Sequence, residues 1–297
     1  MTKSWNIDRL LPEAESTYRQ IEQHFGIRIY HPTPLQRYCQ NTDDAKRFQR
    51  RARNPRYKNA FGPFSPADDG PEAILNPHGR FEILHTAYVD LPQLITTLHS
   101  YFAKKGCFRD ETFSHEELIK ETTHWKYRGL QTQRVIFCEG IGLRENPWFQ
   151  SLPFSPAKGE TLILTSKTLQ LPQAIYHHIK WILPYGDQSF RVGATYDESD
   201  LSAEPTKHAK QELLHAVHSF IKPEHEFVVQ KHLAGIRPST PDARPLLGQH
   251  PNQAGLYILN GLGSKGASVA PEMSRQLIEH LLNDKPLDPE IDIARFS

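Results

Sequence analysis

Six residues late in the chain, Gly261-Leu262-Gly263-Ser264-Lys265-Gly266, spell GxGxxG between an apolar run (LYILN) and an amphipathic one. Glycines at that spacing let bare backbone N–H groups approach a phosphate or a flat ligand at the start of a helix. A dinucleotide fingerprint, however, belongs to the first βαβ unit and wants an acidic residue closing a second strand about 20 residues on. Here NDKPLDPEIDIARFS offers Asp284 and Asp288 but no strand. On pattern alone, a phosphate loop, a tight turn without function and a loop that approaches some other flat or charged ligand all stay open.

Arg237 stands between an apolar strand-like run and a Pro-broken turn, in AGIRPSTPDARPLLG. A guanidinium there is either a bidentate carboxylate clamp or a surface ion pair, and sequence alone favours the surface pair. Lys46, Arg47, Arg50, Arg51, Arg53, Arg56 and Lys58 form a basic run with no acid from Ala45 through Ala67. Such a run either faces RNA or is a solvated helix and loop, and the near-neutral chain favours the solvated reading. Among 16 histidines, His215 and His218 lie three apart on a predicted helix and could share a face, while His177 and His178, adjacent in a strand, point to opposite sides; no third ligand is suggested by spacing, so no metal site is expected. Cys138, inside an apolar run, reads as core. Neither GxSxG nor GxxxxGK[ST] occurs.

Composition sets the frame for these residues. The 297 residues suffice for about two domains. With 38% hydrophobic residues and 35 Lys plus Arg against 34 Asp plus Glu, the chain is neither disordered nor a polyanion-coating protein. No apolar run reaches the ~20 residues that cross a bilayer. Three cysteines in dissimilar contexts form no disulfide or zinc framework, and MTKSWNIDRLLPEAE lacks the apolar core of a signal peptide, so a cytoplasmic protein is expected.

The elements follow from periodicity and caps. Asp8 opens a predicted amphipathic helix through Phe25, closed by Gly26. IRIYHPTPLQRYC reads as a strand, Asp43 or Asp44 caps a basic helix to about Arg53, and a long Pro- and Gly-rich loop runs to Pro77. ILNPHGRFEIL reads as a hairpin. Asp90 caps a helix with Pro92 in its first turn, Leu94, Leu98, Tyr101 and Phe102 on its buried face, and Gly106 at its end. RVIFCEG is a short apolar strand of the kind found centrally in a helix-covered parallel sheet. Residues 159–197 read as antiparallel strands with a turn at 185–188, and 203–221 as a helix buried through Ala209, Leu213, Val217 and Phe220. Three further strands and a final helix carrying Val269, Met273, Leu277, Ile278 and Leu281 complete the chain. Parallel-type strands flanking an antiparallel block imply two interleaved domains in an α/β (α+β mixed) fold.

Taken together, AGIRPSTPDARPLLG and GLYILNGLGSKGASVAPEMSRQLIEHLL resemble the C-terminal part of the D-amino-acid oxidase and glycine oxidase family of FAD-dependent amine oxidoreductases. The glycine loop is most similar to the oxidase half of the bifunctional enzyme that modifies the tRNA wobble uridine. RVIFCEG, KGETLIL and FRVGATYD match the family in order. The resemblance implies FAD as cofactor, and a nucleotide domain from 1–25, 91–150 and 231–297 interleaved with an antiparallel-sheet substrate domain from 26–90 and 151–230. In the family a GxGxxG turn on the first strand binds the ADP half of FAD, and none occurs before residue 80, so the first βαβ element is expected to be missing. The late loop then runs beside the flavin ring. Implied cofactor contacts are Gly140, Gly235, Ile236, Gly261, Leu262, Gly263, Ser264, Lys265 and Gly266. Arg237 falls where glycine oxidase holds the substrate carboxylate. Tyr176 and Trp181 fall on the strand that supplies aromatic cover, with Trp181 replacing a tyrosine. Ser264 stands where glycine oxidase has an arginine, so Lys265 becomes a candidate second carboxylate contact.

The expected reaction is oxidation of a C–N bond in a small amine or amino acid, with hydride passing to flavin N5 and water hydrolysing the imine. The alternatives are a truncated or degenerate paralogue that does not hold FAD and serves at most as a binding module, and a tRNA-modification oxidase, tRNA being the weaker partner candidate.

Overall fold

A computed structural model describes residues 5–57, 59–186 and 188–296. Lys58 of the basic run and Asp187 of the expected turn lie outside the described residues. In chain order the elements are α1 (Ile7–Phe25), β1 (Tyr30–Pro32), β2 (Leu35–Tyr38), α2 (Thr42–Ala52), β3 (Phe61–Ser65), β4 (Arg80–Ile83), β5 (Ala87–Val89) and α3 (Leu91–Lys104). There follow β6 (Ile119–Lys120), β7 (Trp125–Tyr127), β8 (Leu130–Thr132), β9 (Val135–Phe137), β10 (Ala157–Thr165), β11 (Ile175–His177), β12 (Trp181–Pro184) and β13 (Ser189–Gly193). The last are α4 (Lys207–His218), β14 (Val228–Arg237), β15 (Leu246–Gln249), β16 (Leu256–Asn260) and α5 (Gly266–Asn283). The chain folds as two compact units, each built from separated segments.

One unit takes His31–Tyr88 and Lys158–Gly235. Its eight-stranded sheet runs in the order β14-β10-β13-β12-β11-β2-β4-β3. Strands β10, β13, β12 and β11 pair antiparallel in that order, and β11 meets β2 in parallel. Because side chains alternate along a strand, Leu162, Leu164, Tyr176, Ile182, Phe190 and Val192 share one face. There they pack with Leu213, Val217 and Phe220 from α4 and its end. Each such burial contributes roughly 1.5–3 kcal/mol. Helix α4 starts where Thr206 accepts a hydrogen bond from the Ala209 N–H. On the opposite face α2 seats Phe48 against Phe81 and Cys39.

The other unit takes Val89–Ala157, everything from Ile236 onward, and the N-terminal helix up to Tyr30. Its three-stranded sheet has the order β15-β16-β9, with β9 and β16 parallel and β15 antiparallel to β16. Leu246, Leu256, Ile258 and Phe137 face a core of Leu118, Trp125, Tyr127, Leu143 and Phe149. The other side, through Leu247 and Tyr257, is covered by Val269, Met273 and Leu277 of α5 together with Leu10 of α1. Helix α1 lies against α5: the Tyr18 hydroxyl donates to the Ala267 carbonyl at 2.6 Å, and Arg9 pairs at 3.0 Å with Glu272, whose carboxylate is buried. Within the described residues no helix is long and apolar enough to cross a membrane.

Several expectations change in detail. Asn6, in the left-handed region and without a side-chain cap bond, precedes α1 in place of an Asp8 cap. Asn41, not Asp43 or Asp44, caps α2, its side chain accepting from the Asp44 N–H. The 27–39 strand is two short strands, and the loop to Pro77 contains β3. The hairpin at 74–84 does not form. Arg80–Ile83 pairs instead with β2 and β3, while Ile74 bridges Ile221. Among the described residues RVIFCEG supplies an edge strand, and Cys138 lies past its end, exposed. Phe102 and Ile278 are 44% and 54% exposed, each one step off the buried stripe of its helix.

Candidate functional site

In open α/β sheets ligands bind beyond the carboxyl ends of the parallel strands, and here those ends are Phe137 and Asn260. Two turns leave them. The first begins at Gly140, with φ of 57° and nothing within 4 Å of where a Cβ would stand. The second begins at Gly261, with φ of 72°, followed by Gly263 with φ of 58°. Only glycine adopts these conformations without strain. Gly261 is also held by packing, because a Cβ there would lie 2.9 Å from Thr240 Cγ2 and 3.1 Å from the Leu246 nitrogen. Gly266, by contrast, is ordinary helix with φ of −48°.

Asn260 joins the two turns. Its buried amide donates from Nδ2 to the Gly140 carbonyl at 3.0 Å, while Oδ1 accepts from the Gly261 N–H at 2.8 Å. The Gly263 N–H donates to the Pro238 carbonyl at 3.0 Å, closing the second turn onto the segment after Arg237. Helix α5 continues from a 3-10 turn at Gly263–Lys265 and starts with no side-chain cap bond, so the positive end of its dipole carries no side-chain acceptor and favours an anion or a polarised ligand. Beside the first turn, Glu139 is held at both oxygens, by His115 at 2.6 Å and by Asn146 at 2.7 Å.

The expected residues distribute as follows. Gly140, Gly261, Leu262, Gly263, Ser264, Lys265 and Gly266 line the two turns and the entry to α5, with Ser264 and Lys265 exposed. Gly235, Ile236 and Arg237 sit at the carboxyl end of β14, Arg237 half-buried.

In the eight-stranded sheet, Tyr176 and Trp181 prove to be on different strands and opposite faces. The register pairs Tyr176 with Ile182 and His177 with Trp181. Tyr176 is 1% exposed in the core, its hydroxyl donating to the Pro172 carbonyl at 2.9 Å. Trp181 is half-buried on the other face, its ring laid over Gly193, where a Cβ would come within 2.8 Å of Cζ2. The expectation that both aromatics cover one ligand therefore fails: a turn at 178–180 separates them, and five residues is an odd count for side chains that alternate.

Sequence reasoning missed Asn260 and a second group on the Trp181 face. There Arg37 Nη1 lies 2.5 Å from His177 Nδ1 and also donates to the His178 carbonyl. Burial, with Arg37 alongside, pushes the His177 imidazolium down to about 4. The basic run is partly matched at its start, where Lys46 and Arg47 pair with Asp43 and Asp44 of the same helix.

Comparison with known proteins bears on what these turns hold. The tRNA 5-methylaminomethyl-2-thiouridine biosynthesis bifunctional protein of Marinobacter nauticus is 29% identical over 187 residues, covering 57% of this chain and 30% of that protein. The glycine oxidase of Pseudomonas aeruginosa is 26% identical over 195 residues, covering 65% of this chain and 52% of the enzyme. The matches thus span 30% and 52% of the length of these relatives. Among solved structures, glycine oxidase from Geobacillus kaustophilus superposes with a TM-score of 0.78 at 21% identity, over 100% of this chain and 84% of that one. The Bacillus cereus enzyme gives 0.79 at 18% identity, over 96% and 83%. These likenesses establish the mixed α/β fold. Residues 3–280 match the family model described as FAD dependent oxidoreductase (DAO), and the chain belongs to that family of flavoproteins.

Proposed function

We propose that the protein oxidises the carbon–nitrogen bond of a small amine or amino acid. The observation that carries this reading is the pair of glycine turns tied by Asn260 at the ends of the parallel strands, a cradle of bare backbone opening on an uncapped helix. Such a cradle fits FAD, which is flat and carries phosphates. On this reading the three-stranded unit is the nucleotide domain and the eight-stranded unit the substrate domain. Gly140 and Gly261–Gly266, with Gly235 and Ile236, hold the cofactor, and the start of α5 favours negative charge placed before it. Bound flavin supplies the acceptor for the hydride that leaves the substrate α-carbon.

The chain's own residues have the simpler tasks of binding and orientation. Arg237 takes the substrate carboxylate in a bidentate pair, with exposed Lys265 as a second cationic contact. Trp181 offers an aromatic surface, and Tyr176 is left to the core. An amine that binds neutral needs no side-chain base. The reading draws support from the glycine oxidases among the relatives. A role on tRNA rests on the printed name of the Marinobacter relative, and the basic run adds little to it, since its first two cations are matched by acids.

The test is to purify the chain with added FAD, record the flavin absorption bands, and mix it without oxygen with glycine, sarcosine and D-amino acids. Bleaching by at least one amine is expected, with KM raised and flavin content unchanged in Arg237→Met. Bound flavin that no amine bleaches would overturn the substrate class, and absence of flavin bands would overturn the cradle.

A further inference from the structure

The face of the eight-stranded sheet that carries Trp181 also carries Arg191, in the middle of β13. The register places Arg191 between Ile163 on β10 and Leu183 on β12, and places Trp181 opposite Gly193, one diagonal step away on the same face. Arg191 is half-buried, and its Nε is buried with no hydrogen-bond partner among the described residues. Arg80 and Arg128, by contrast, end on the carboxylates of Asp69 and Glu117. Among the described residues Arg191 makes no ion pair. The one acid in β10, β12 and β13 is Glu160, which points to the opposite face and accepts from the Thr206 N–H and hydroxyl at 2.8 and 3.0 Å.

A buried guanidinium N–H without an acceptor is costly and uncommon. Leu183 is buried and Ile163 half-buried, so the group lies along an apolar shelf where attraction to an anion is stronger than in bulk water. The Trp181 ring cannot sink toward the sheet, because it already rests on the bare backbone of Gly193. A planar cation fork beside a fixed aromatic surface matches one ligand chemistry: a carboxylate or phosphate carried on an apolar or aromatic body.

We propose that this face is an anion subsite in which Arg191 takes the acidic group and Trp181, with Ile163 and Leu183, takes the apolar body. The subsite shares Trp181 with the proposed substrate site but needs no flavin, so its failure in the binding test is distinguishable from failure of the proposed oxidation.

The experiment titrates the full chain, without added FAD, with benzoate, phenyl phosphate and inorganic phosphate, following tryptophan fluorescence and, in parallel, heat of binding. Saturable binding of benzoate or phenyl phosphate is expected, weakened about tenfold or more, or about 1.4 kcal/mol, in Arg191→Met. Arg191→Lys should recover part of the loss. Trp181→Phe should remove most of the fluorescence response while the heat signal persists. Tighter benzoate assigns a carboxylate ligand, and tighter phenyl phosphate a phosphate. No saturable binding of either aromatic anion at millimolar concentration would overturn the subsite, as would unchanged affinity in a folded Arg191→Met or inorganic phosphate binding as tightly as the aromatic anions.

Discussion

Replacing Asn260 by alanine is the sharpest perturbation of the glycine turns. The side chain is 4% exposed and makes two hydrogen bonds, one to the Gly140 carbonyl and one from the Gly261 N–H. Each is worth roughly 0.5–1.5 kcal/mol net, and a buried group left without a partner costs roughly 1–3 kcal/mol. Water entering the vacated space restores part of this, so local opening of the turns should become easier by about 2–4 kcal/mol. In amide hydrogen exchange that is about 30- to 700-fold faster exchange at Gly261 and through 140–145, at about 1.4 kcal/mol per tenfold. Asn260→Asp separates the two bonds. A carboxylate still accepts from the Gly261 N–H but cannot donate to the Gly140 carbonyl, so Gly261 should stay protected while 140–145 loosens. Unchanged protection of both turns in Asn260→Ala would refute the clamp, and equal loosening of both in Asn260→Asp would refute its division of labour.

Two further outcomes follow from the same geometry. Gly140→Ala meets open space and should cost only the left-handed backbone, roughly 1–2 kcal/mol, whereas Gly261→Ala adds the contacts with Thr240 and Leu246 and should cost more; equal urea midpoints for the two variants would contradict this. His177 is neutral in the fold, with its pKa lowered from 6.5 to about 4 by burial and Arg37. The unfolded chain therefore takes up the proton first as pH falls, so this contribution is complete above about pH 6.5 and is lost between there and pH 4, on the order of 3 kcal/mol in all. His177→Gln should flatten the fall in urea midpoint across that window, and an unaltered slope would count against the buried neutral imidazole.

What could be read from the sequence was local. Helix α3 announces itself through Asp90, Pro92 and Gly106, and the structure gives all three their parts: the Asp90 side chain accepts from the Gln93 N–H and Gly106 turns with φ of 68°. The glycine turn was legible because its spacing lies within six residues. Near misses were shifts of a few positions, as when Asn41 caps α2 ahead of Asp43. What stayed hidden joins residues far apart in the chain: Asn260 reaches Gly140 across 120 positions, and Arg37 reaches His177 across 140. Nothing in either neighbourhood marks those partners. The Tyr176 and Trp181 error lies between these cases, because the alternation was countable and only the turn at 178–180 was not foreseen.

Strand β9 has a consequence for how the protein behaves in a tube. Among the described residues it pairs on one side only, and Ile136 on it is 43% exposed. A strand edge without lysine, proline or a bulge is a template for whatever strand next meets it. Preparations concentrated for spectroscopy should therefore be checked for sheet-to-sheet association before a weak flavin signal is blamed on the cradle, and a lysine in place of Ile136 is the economical guard.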